Sequence, residues 1–92
     1  MSEIQTVQAR ILGHVQGVSF RAWAQTEACL RGLTGWVRNE ADGTVTAVFR
    51  GPSETIREMT RALEHGPPAA VVRTVEIAPT DWPDSGRFDI LY

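Results

Sequence analysis

Apolar and polar residues alternate along the first segment of the chain. Within residues 4–12, Val7, Ala9 and Ile11 alternate with the polar residues Thr6, Gln8 and Arg10. A period of two with β-branched side chains is typical of a strand with one buried face. Glycines 13 and 17 bracket the short segment 14–16 that follows. We therefore predict a strand over 4–12 and then a loop.

From about residue 18, the period changes to that of a helix. Glu27 interrupts the apolar stripe, and Gly32 is the residue type that ends many helices in a left-handed conformation. We therefore predict a helix that stops near Gly32. The apolar residues that fall within about half a turn at ~100° per residue are Phe20, Trp23, Ala24, Ala28 and Leu30.

Two β-rich runs, 34–39 and 44–50, flank the tetrapeptide Glu-Ala-Asp-Gly. Asp-Gly between two alternating runs is a strong signal for a β-hairpin. We therefore predict that these two strands are neighbours in a sheet.

Pro52 and Glu54 mark the start of a second helix. Proline suits the first helical position, and an acid there favours the positive end of a helix. The apolar side of this segment carries Ile56, Met59 and Leu63, and Gly-Pro-Pro ends it after residue 65.

Two further β-rich runs, 71–78 and 87–92, follow, with a loop at 79–85 between them. The order is then strand, helix, strand, strand, helix, strand and a short final strand. This order predicts an α+β, ferredoxin-like split β-α-β fold, with two helices on one face of an antiparallel sheet. We predict a single domain over residues 1–92, because so short a chain cannot fill two cores.

Composition and charge exclude several functional classes. The formal net charge is -2, and all nine basic residues are arginines. A basic run that would bind nucleic acid is missing, and so is the lysine of a P-loop or a Schiff base. The single cysteine, Cys29, cannot form an internal disulfide, and we expect it to be a half-buried helix residue. No apolar run approaches the ~20 residues of a membrane helix, so we expect a cytoplasmic protein without membrane partners.

The sequence contains no recognisable metal-binding motif. His14 and His65 lie far apart, and the carboxylates do not cluster at ligand spacing. We therefore expect neither a metal nor a cofactor. A histidine beside a glycine, like His14, is more often a solvated loop residue than a general base.

The segment from Gly13 to Arg21 combines a strand end, a glycine loop and a helix start. Such a loop can direct several backbone N–H groups at an anion, and the helix N-terminus adds partial positive charge. Arg21 would add a two-pronged donor for phosphate oxygens. By spacing alone, a tight turn followed by a solvated arginine explains the same residues.

This segment resembles the signature of the acylphosphatases, small enzymes that hydrolyse carboxyl–phosphate mixed anhydrides. It meets the family pattern Gly-x-Val-Gln-Gly-Val-x-Phe-Arg at every fixed position between Gly13 and Arg21. A second family pattern, Gly-x-x-Gly-x-Val-x-Asn-x-x-Asp-Gly-x-Val, is matched from Gly32 to Val45. The resemblance extends to the Gly-Pro after the second helix and to the final Phe-x-Ile-x-Tyr.

The resemblance implies a strand order 4-1-3-2-5 and an enzyme acting on a small acyl phosphate. Arg21 would bind the phosphate, and Asn39 would orient the attacking water. A side-chain amide suits that role because it accepts a hydrogen bond from water and stays neutral beside an anion. The phosphate-binding loop carried over from the family consists of His14, Val15, Gln16, Gly17, Val18, Ser19, Phe20 and Arg21.

Two alternatives remain at this point. Asn39 could be a turn-initiating residue before the hairpin, and the domain could be a non-catalytic binding or regulatory module. RNA-binding modules of this topology expose aromatic side chains on their central strands. Here Phe49 is the one aromatic on the two corresponding strands, and we expect it to face inward. We therefore expect no nucleic-acid partner, and we expect a monomer.

Overall fold

The structure is a computed structural model and describes residues 3–92. Helices and strands follow one another along the chain in the predicted order. The elements are β1 (Ile4–His14), α1 (Phe20–Leu30), β2 (Thr34–Asn39), β3 (Val45–Pro52), α2 (Ser53–His65), β4 (Val71–Pro79) and β5 (Phe88–Leu91).

The strands form one sheet in the order β4-β1-β3-β2-β5, as expected from the family resemblance. β1 pairs antiparallel with β3 and β4, and β2 pairs antiparallel with β3. β5 instead pairs parallel with β2. The segment 80–87 carries the chain from one edge of the sheet to the other, and β4 and β2 run in opposite directions. The predicted fold is confirmed, and the sheet is mixed at the β5 edge rather than antiparallel throughout.

Both helices pack on one face of the sheet. Alternate strand residues point to this face and form a common core with apolar residues of both helices. Phe49 is 1% exposed and stacks on Phe88 with ring centroids 5.4 Å apart, so its predicted inward orientation is confirmed. The buried strand residues are Val7, Ala9, Ile11, Val37, Val45, Ala47 and Phe49, and the buried helix residues are Phe20, Ala24, Ala28, Ile56, Met59 and Leu63.

The buried face of α1 is narrower than predicted. Gly32 follows the helix with φ 69°, which confirms the predicted stop. Leu30 is 76% exposed and Cys29 is exposed as well, so both predictions of burial are wrong. The buried residues of α1 are four positions apart, and the last of them is Ala28. Cys29 and Leu30 are turned away from that row by roughly 100° and 200°.

The helix α2 matches its predicted apolar face. It begins at Ser53, so Pro52 lies just before the first helical residue rather than on it. Neither helix among residues 3–92 is long and apolar enough to cross a membrane.

β1 continues two residues beyond its predicted end. Its pairing with β3 stops where Ile11 lies opposite Val45, and its register with β4 shifts between Leu12 and Gly13. The last residues of β1 therefore pair with β4 alone. The loop after β1 thus begins beyond the first residue of β3, outside the hydrogen-bond ladder that joins the two strands.

Candidate active site

A cavity of about 320 Å³ lies at the N-terminal end of α1. The loop after β1, the first turn of α1, the end of β2 and the last residues of the chain surround it. Arg21 and Asn39, which the family resemblance singles out, both lie on its wall. The residues that line the cavity are Val15, Gly17, Ser19, Phe20, Arg21, Ala22, Asn39, Ile90 and Tyr92.

The loop is anchored by apolar side chains and bent by left-handed residues. Val15 and Phe20 are buried, and Val18 packs against the core. Gly17 has φ 74° and Ser19 has φ 62°. Because Ser19 carries a side chain, its left-handed conformation costs on the order of 1–2 kcal/mol. The surrounding core therefore holds the loop in a shape that the local sequence alone disfavours.

Backbone N–H groups at the cavity have no acceptor among residues 3–92. The first helical bond of α1 runs from the Trp23 N–H to the Ser19 carbonyl at 3.0 Å. The first N–H groups of a helix have no intrahelical acceptor. Among the hydrogen bonds of residues 3–92, none takes its donor from the backbone of 17–22. The first turn of α1 also contains no acidic residue, so its partial positive charge is not neutralised.

Arg21 adds a full positive charge at the same end of α1. Five other arginines of the described chain pair with carboxylates, whereas Arg21 has no carboxylate partner there. Its Nη1 donates a hydrogen bond to the Leu91 carbonyl at 3.2 Å, and its Cζ lies 4.8 Å from the centre of the Tyr92 ring. The guanidinium is thus held in place by neutral groups. This arrangement is suited to binding an anion.

Asn39 is the last residue of β2 and is half-buried on the cavity wall. Within residues 3–92, no protein group hydrogen-bonds to its side-chain amide. The hairpin turn is closed by the Glu40 N–H, which donates to the Thr44 carbonyl at 2.9 Å. The amide oxygen and nitrogen of the Asn39 side chain are therefore available to a water molecule or a ligand.

The turn beyond Asn39 is stabilised by Asp42. Its Oδ1 accepts hydrogen bonds from the Thr44 hydroxyl at 2.6 Å and the Thr44 N–H at 3.0 Å. Its Oδ2 accepts one from Arg10 at 2.8 Å. These hydrogen bonds, above all the one from the Thr44 hydroxyl, lower the pKa of Asp42 from 3.8 to about 2.

The lowered pKa of Asp42 predicts a pH-dependent effect of Asp42→Asn. A depressed carboxyl pKa stabilises the folded state above the unfolded-state pKa, and this stabilisation is lost as the pH falls through the folded-state value. We expect urea unfolding to show Asp42→Asn less stable than wild type at about pH 6, by a margin that shrinks between about pH 4 and 2. Asp81→Asn, at an exposed residue, is the control. A margin that stays constant over this range would contradict the prediction.

His14 and Gln16 belong to the expected phosphate loop, but their side chains lie off the cavity wall. His14 is the exposed last residue of β1 and lies opposite Val71 of β4. Gln16 points to the hairpin instead, where its Nε2 donates to the carbonyls of Glu40 at 2.8 Å and Thr44 at 2.9 Å. Within residues 3–92, no three His, Cys, Asp or Glu side chains are grouped as a metal site.

The chain end contributes to the site in a way that the sequence analysis did not predict. Ile90 and Tyr92 line the cavity, and Leu91 provides the carbonyl that holds Arg21. Apolar residues alternate at the chain end, and this pattern already places Ile90 and Tyr92 on the same side of a strand. A backbone carbonyl such as that of Leu91 leaves no signal in a sequence.

Proteins of known family are similar to this chain in both sequence and fold. The family model described as Acylphosphatase matches residues 7–90. An acylphosphatase of Mesorhizobium japonicum is 44% identical over 88 residues, which cover 95% of this chain and 94% of the relative. The structure of an acylphosphatase from Coxiella burnetii matches with a TM-score of 0.92 and 33% identity, over 96% of this chain and 93% of that one.

A similar domain also occurs within a larger protein. The crystal structure of full-length HypF in its phosphate- and nucleotide-bound form matches 100% of this chain and 12% of its own, with a TM-score of 0.90 and 27% identity. The range that the family model matches includes both motifs, Gly13–Arg21 and Gly32–Val45. The chain belongs to the acylphosphatase family.

Proposed function

We propose that the chain hydrolyses acyl phosphates to a carboxylate and inorganic phosphate. In this proposal, the amides of the 14–21 loop and Arg21 hold the phosphate, while Asn39 orients the attacking water. Membership of the acylphosphatase family supports the reaction. One observation supports the mechanism: three kinds of group without a partner among residues 3–92 border one cavity, namely backbone amides without an acceptor, an arginine without a carboxylate and a free side-chain amide.

The phosphate would bind at the positive end of α1. A helix N-terminus and a loop with free N–H groups provide donors that converge on an anion. A guanidinium has five N–H donors, and the contact with Leu91 uses one of them. Arg21 therefore keeps enough donors for a two-pronged contact with two phosphate oxygens while the Leu91 carbonyl holds it in place.

The chemistry requires positioning more than acid–base catalysis. The water oxygen forms a bond to phosphorus in line with the carboxylate oxygen, and the bond from phosphorus to that oxygen breaks. Its electron pair leaves with the carboxylate, and the protons of the water remain on the inorganic phosphate that forms. A carboxylate is a good leaving group, so the site needs no strong general acid. Donors placed around the phosphate stabilise its charge, and a water held at the correct angle gains the advantage of proximity. The Asn39 amide oxygen can hold that water without repelling the phosphate.

Residues 1–92 act as one domain on a small acyl phosphate, without a metal or cofactor and without nucleic-acid or membrane partners. Arg21 and Asn39 come from the same chain and border the same cavity, which supports a monomer as the active species. We place this activity in the cytoplasm.

The test is phosphate release from acetyl phosphate and carbamoyl phosphate in excess EDTA, with a phosphomonoester as the control substrate. We expect both acyl phosphates to be hydrolysed, the phosphomonoester to be a poor substrate, and inorganic phosphate to inhibit competitively. Phosphate binding without turnover would identify a non-catalytic binding module. Activity that disappears with EDTA and returns with Mg²⁺ would overturn the metal-free mechanism.

A further inference from the structure

The last row of strand pairs between the two halves of the site contains Ile11, Val45 and Asn39. The loop 15–19 follows β1, whereas Asn39 lies at the end of β2. Pairing between β1 and β3 ends at Ile11, and β1 then pairs with β4 alone. The sheet therefore fixes Asn39 relative to Ile11, but among the described residues no strand pairing joins the loop 15–19 to the hairpin.

The side chain of Gln16 joins the loop to the hairpin. Its Nε2 donates to two carbonyls on opposite sides of the hairpin turn, that of Glu40 at 2.8 Å and that of Thr44 at 2.9 Å. Gln16 directly precedes Gly17 on the cavity wall, and Glu40 directly follows Asn39. One amide group thus joins the backbone next to the expected phosphate donors to the backbone next to the expected water acceptor.

The hairpin does not depend on Gln16 to satisfy its own carbonyls. The Thr44 carbonyl already accepts from the Glu40 N–H at 2.9 Å, and the Glu40 carbonyl accepts from the Gly43 N–H at 3.2 Å. A carbonyl oxygen has two lone pairs, so each can accept a second bond from Gln16. The Gln16 bonds therefore add a link between two segments to a turn that is already closed.

We propose that Gln16 is a positioning residue that sets the separation between the bound phosphate and the water held by Asn39. This inference rests on the proposed function, because it assigns the geometry of that same site. The side chain of Gln16 would act on the reaction without touching the substrate. A misplacement of about 1 Å between reacting groups lowers rates by as much as ~10²-fold. We therefore expect the loss of the Gln16 hydrogen bonds to lower kcat more than it weakens phosphate binding.

Gln16→Met is the first test, because methionine has a similar length and no N–H donor. We expect kcat for acetyl phosphate to fall about 10-fold or more, while the inhibition constant of inorganic phosphate changes less than about 3-fold. The loop amides and Arg21 still bind phosphate in this variant. Ile56→Val, in the core beneath α2 and off the cavity wall, is the control for lost stability. It should lower the free energy of unfolding while kcat stays near wild type.

The pH dependence of Gln16→Glu activity distinguishes a positioning role from a merely structural one. An ionised carboxylate at this position faces two carbonyl oxygens and has no hydrogen to donate, whereas a protonated carboxyl can donate one bond. We expect the activity of this variant, relative to wild type, to rise as the pH falls from about 8 to 5. The same ratio for Gln16→Met should stay flat.

The charged groups around Gln16 do not produce this pH dependence. The pKa of Glu40 is lowered by hydrogen bonds from Thr46 and Arg38, and that of Asp42 is lowered by Thr44 and Arg10. Both carboxylates therefore stay ionised over the range of the experiment.

The outcomes separate this inference from the proposed function. If wild type hydrolyses acetyl phosphate but folded Gln16 variants keep kcat within about 2-fold, the positioning role is wrong and the proposed function stands. An equal loss of phosphate affinity and kcat in Gln16→Met would also overturn it, because Gln16 would then shape the phosphate loop itself. If Gln16→Met does not fold, a pH-independent ratio for Gln16→Glu overturns it. A wild-type protein without hydrolysis would reject the proposed function.

Discussion

Arg21→Gln should lower kcat/KM for acyl phosphates at least ~10²-fold, the usual order for the loss of a preorganised charged donor. The change removes a guanidinium that has no carboxylate partner within residues 3–92 and that lies beside the free amides of α1. Competitive inhibition by inorganic phosphate should weaken as well, because the ground-state anion also uses this charge. Steady-state kinetics with acetyl phosphate, with and without inorganic phosphate, measure both effects.

Arg21→Lys should recover only part of this loss. The lysine ammonium keeps the charge, but it cannot contact the Leu91 carbonyl and also present a planar fork to two phosphate oxygens. Arg61→Gln makes the same chemical change on the exposed side of α2 and should leave the kinetics within about 2-fold of wild type. Near-normal activity of Arg21→Gln would place the phosphate elsewhere.

The stability of Arg21→Gln should change little. A positive side chain in the first turn of a helix is disfavoured by the helix dipole, which offsets the lost contacts with Leu91 and Tyr92. We expect its free energy of unfolding to lie within about 1 kcal/mol of wild type. Urea unfolding therefore shows whether a loss of activity is a loss of structure.

Asn39→Ala should separate catalysis from binding. If the side-chain amide holds the water and not the phosphate, phosphate affinity should stay within a few-fold while kcat falls by roughly 10²-fold or more. The Glu40 N–H still closes the turn in this variant, so we expect the hairpin to survive. Circular dichroism of Asn39→Ala checks that the variant is folded. A folded Asn39→Ala with normal turnover would make Asn39 a hairpin residue only.

Asn39→Asp distinguishes a water-orienting amide from a general base. Aspartate keeps the size and the acceptor but places a negative charge beside the substrate, so both phosphate affinity and kcat should fall. A general base would behave in the opposite way, since aspartate would then serve as well as asparagine or better. The pH dependence of kcat in the two variants provides the measurement.

Local patterns in the sequence predicted the elements that the structure contains. The period of two in β1, the apolar face of α2, the Asp-Gly hairpin and the stop at Gly32 each depend on residues a few positions apart. Such patterns are decided by backbone geometry and by which side of an element is buried. The motifs between Gly13 and Val45 likewise predicted the family, which the comparisons confirm.

The packing of distant segments decided the features that local patterns could not predict. The parallel pairing of β5, the exposure of Leu30, the contact of Arg21 with Leu91 and the bonds from Gln16 to the hairpin all join or separate residues far apart in the chain. Periodicity marks which side of an element is apolar, but not which other element covers it. Backbone carbonyls, moreover, are present at every residue, so their use as acceptors leaves no trace in the sequence. The sequence by itself thus determined the elements, the fold and the family, whereas the tertiary structure alone decided how the loop, the hairpin and the chain end meet around one cavity.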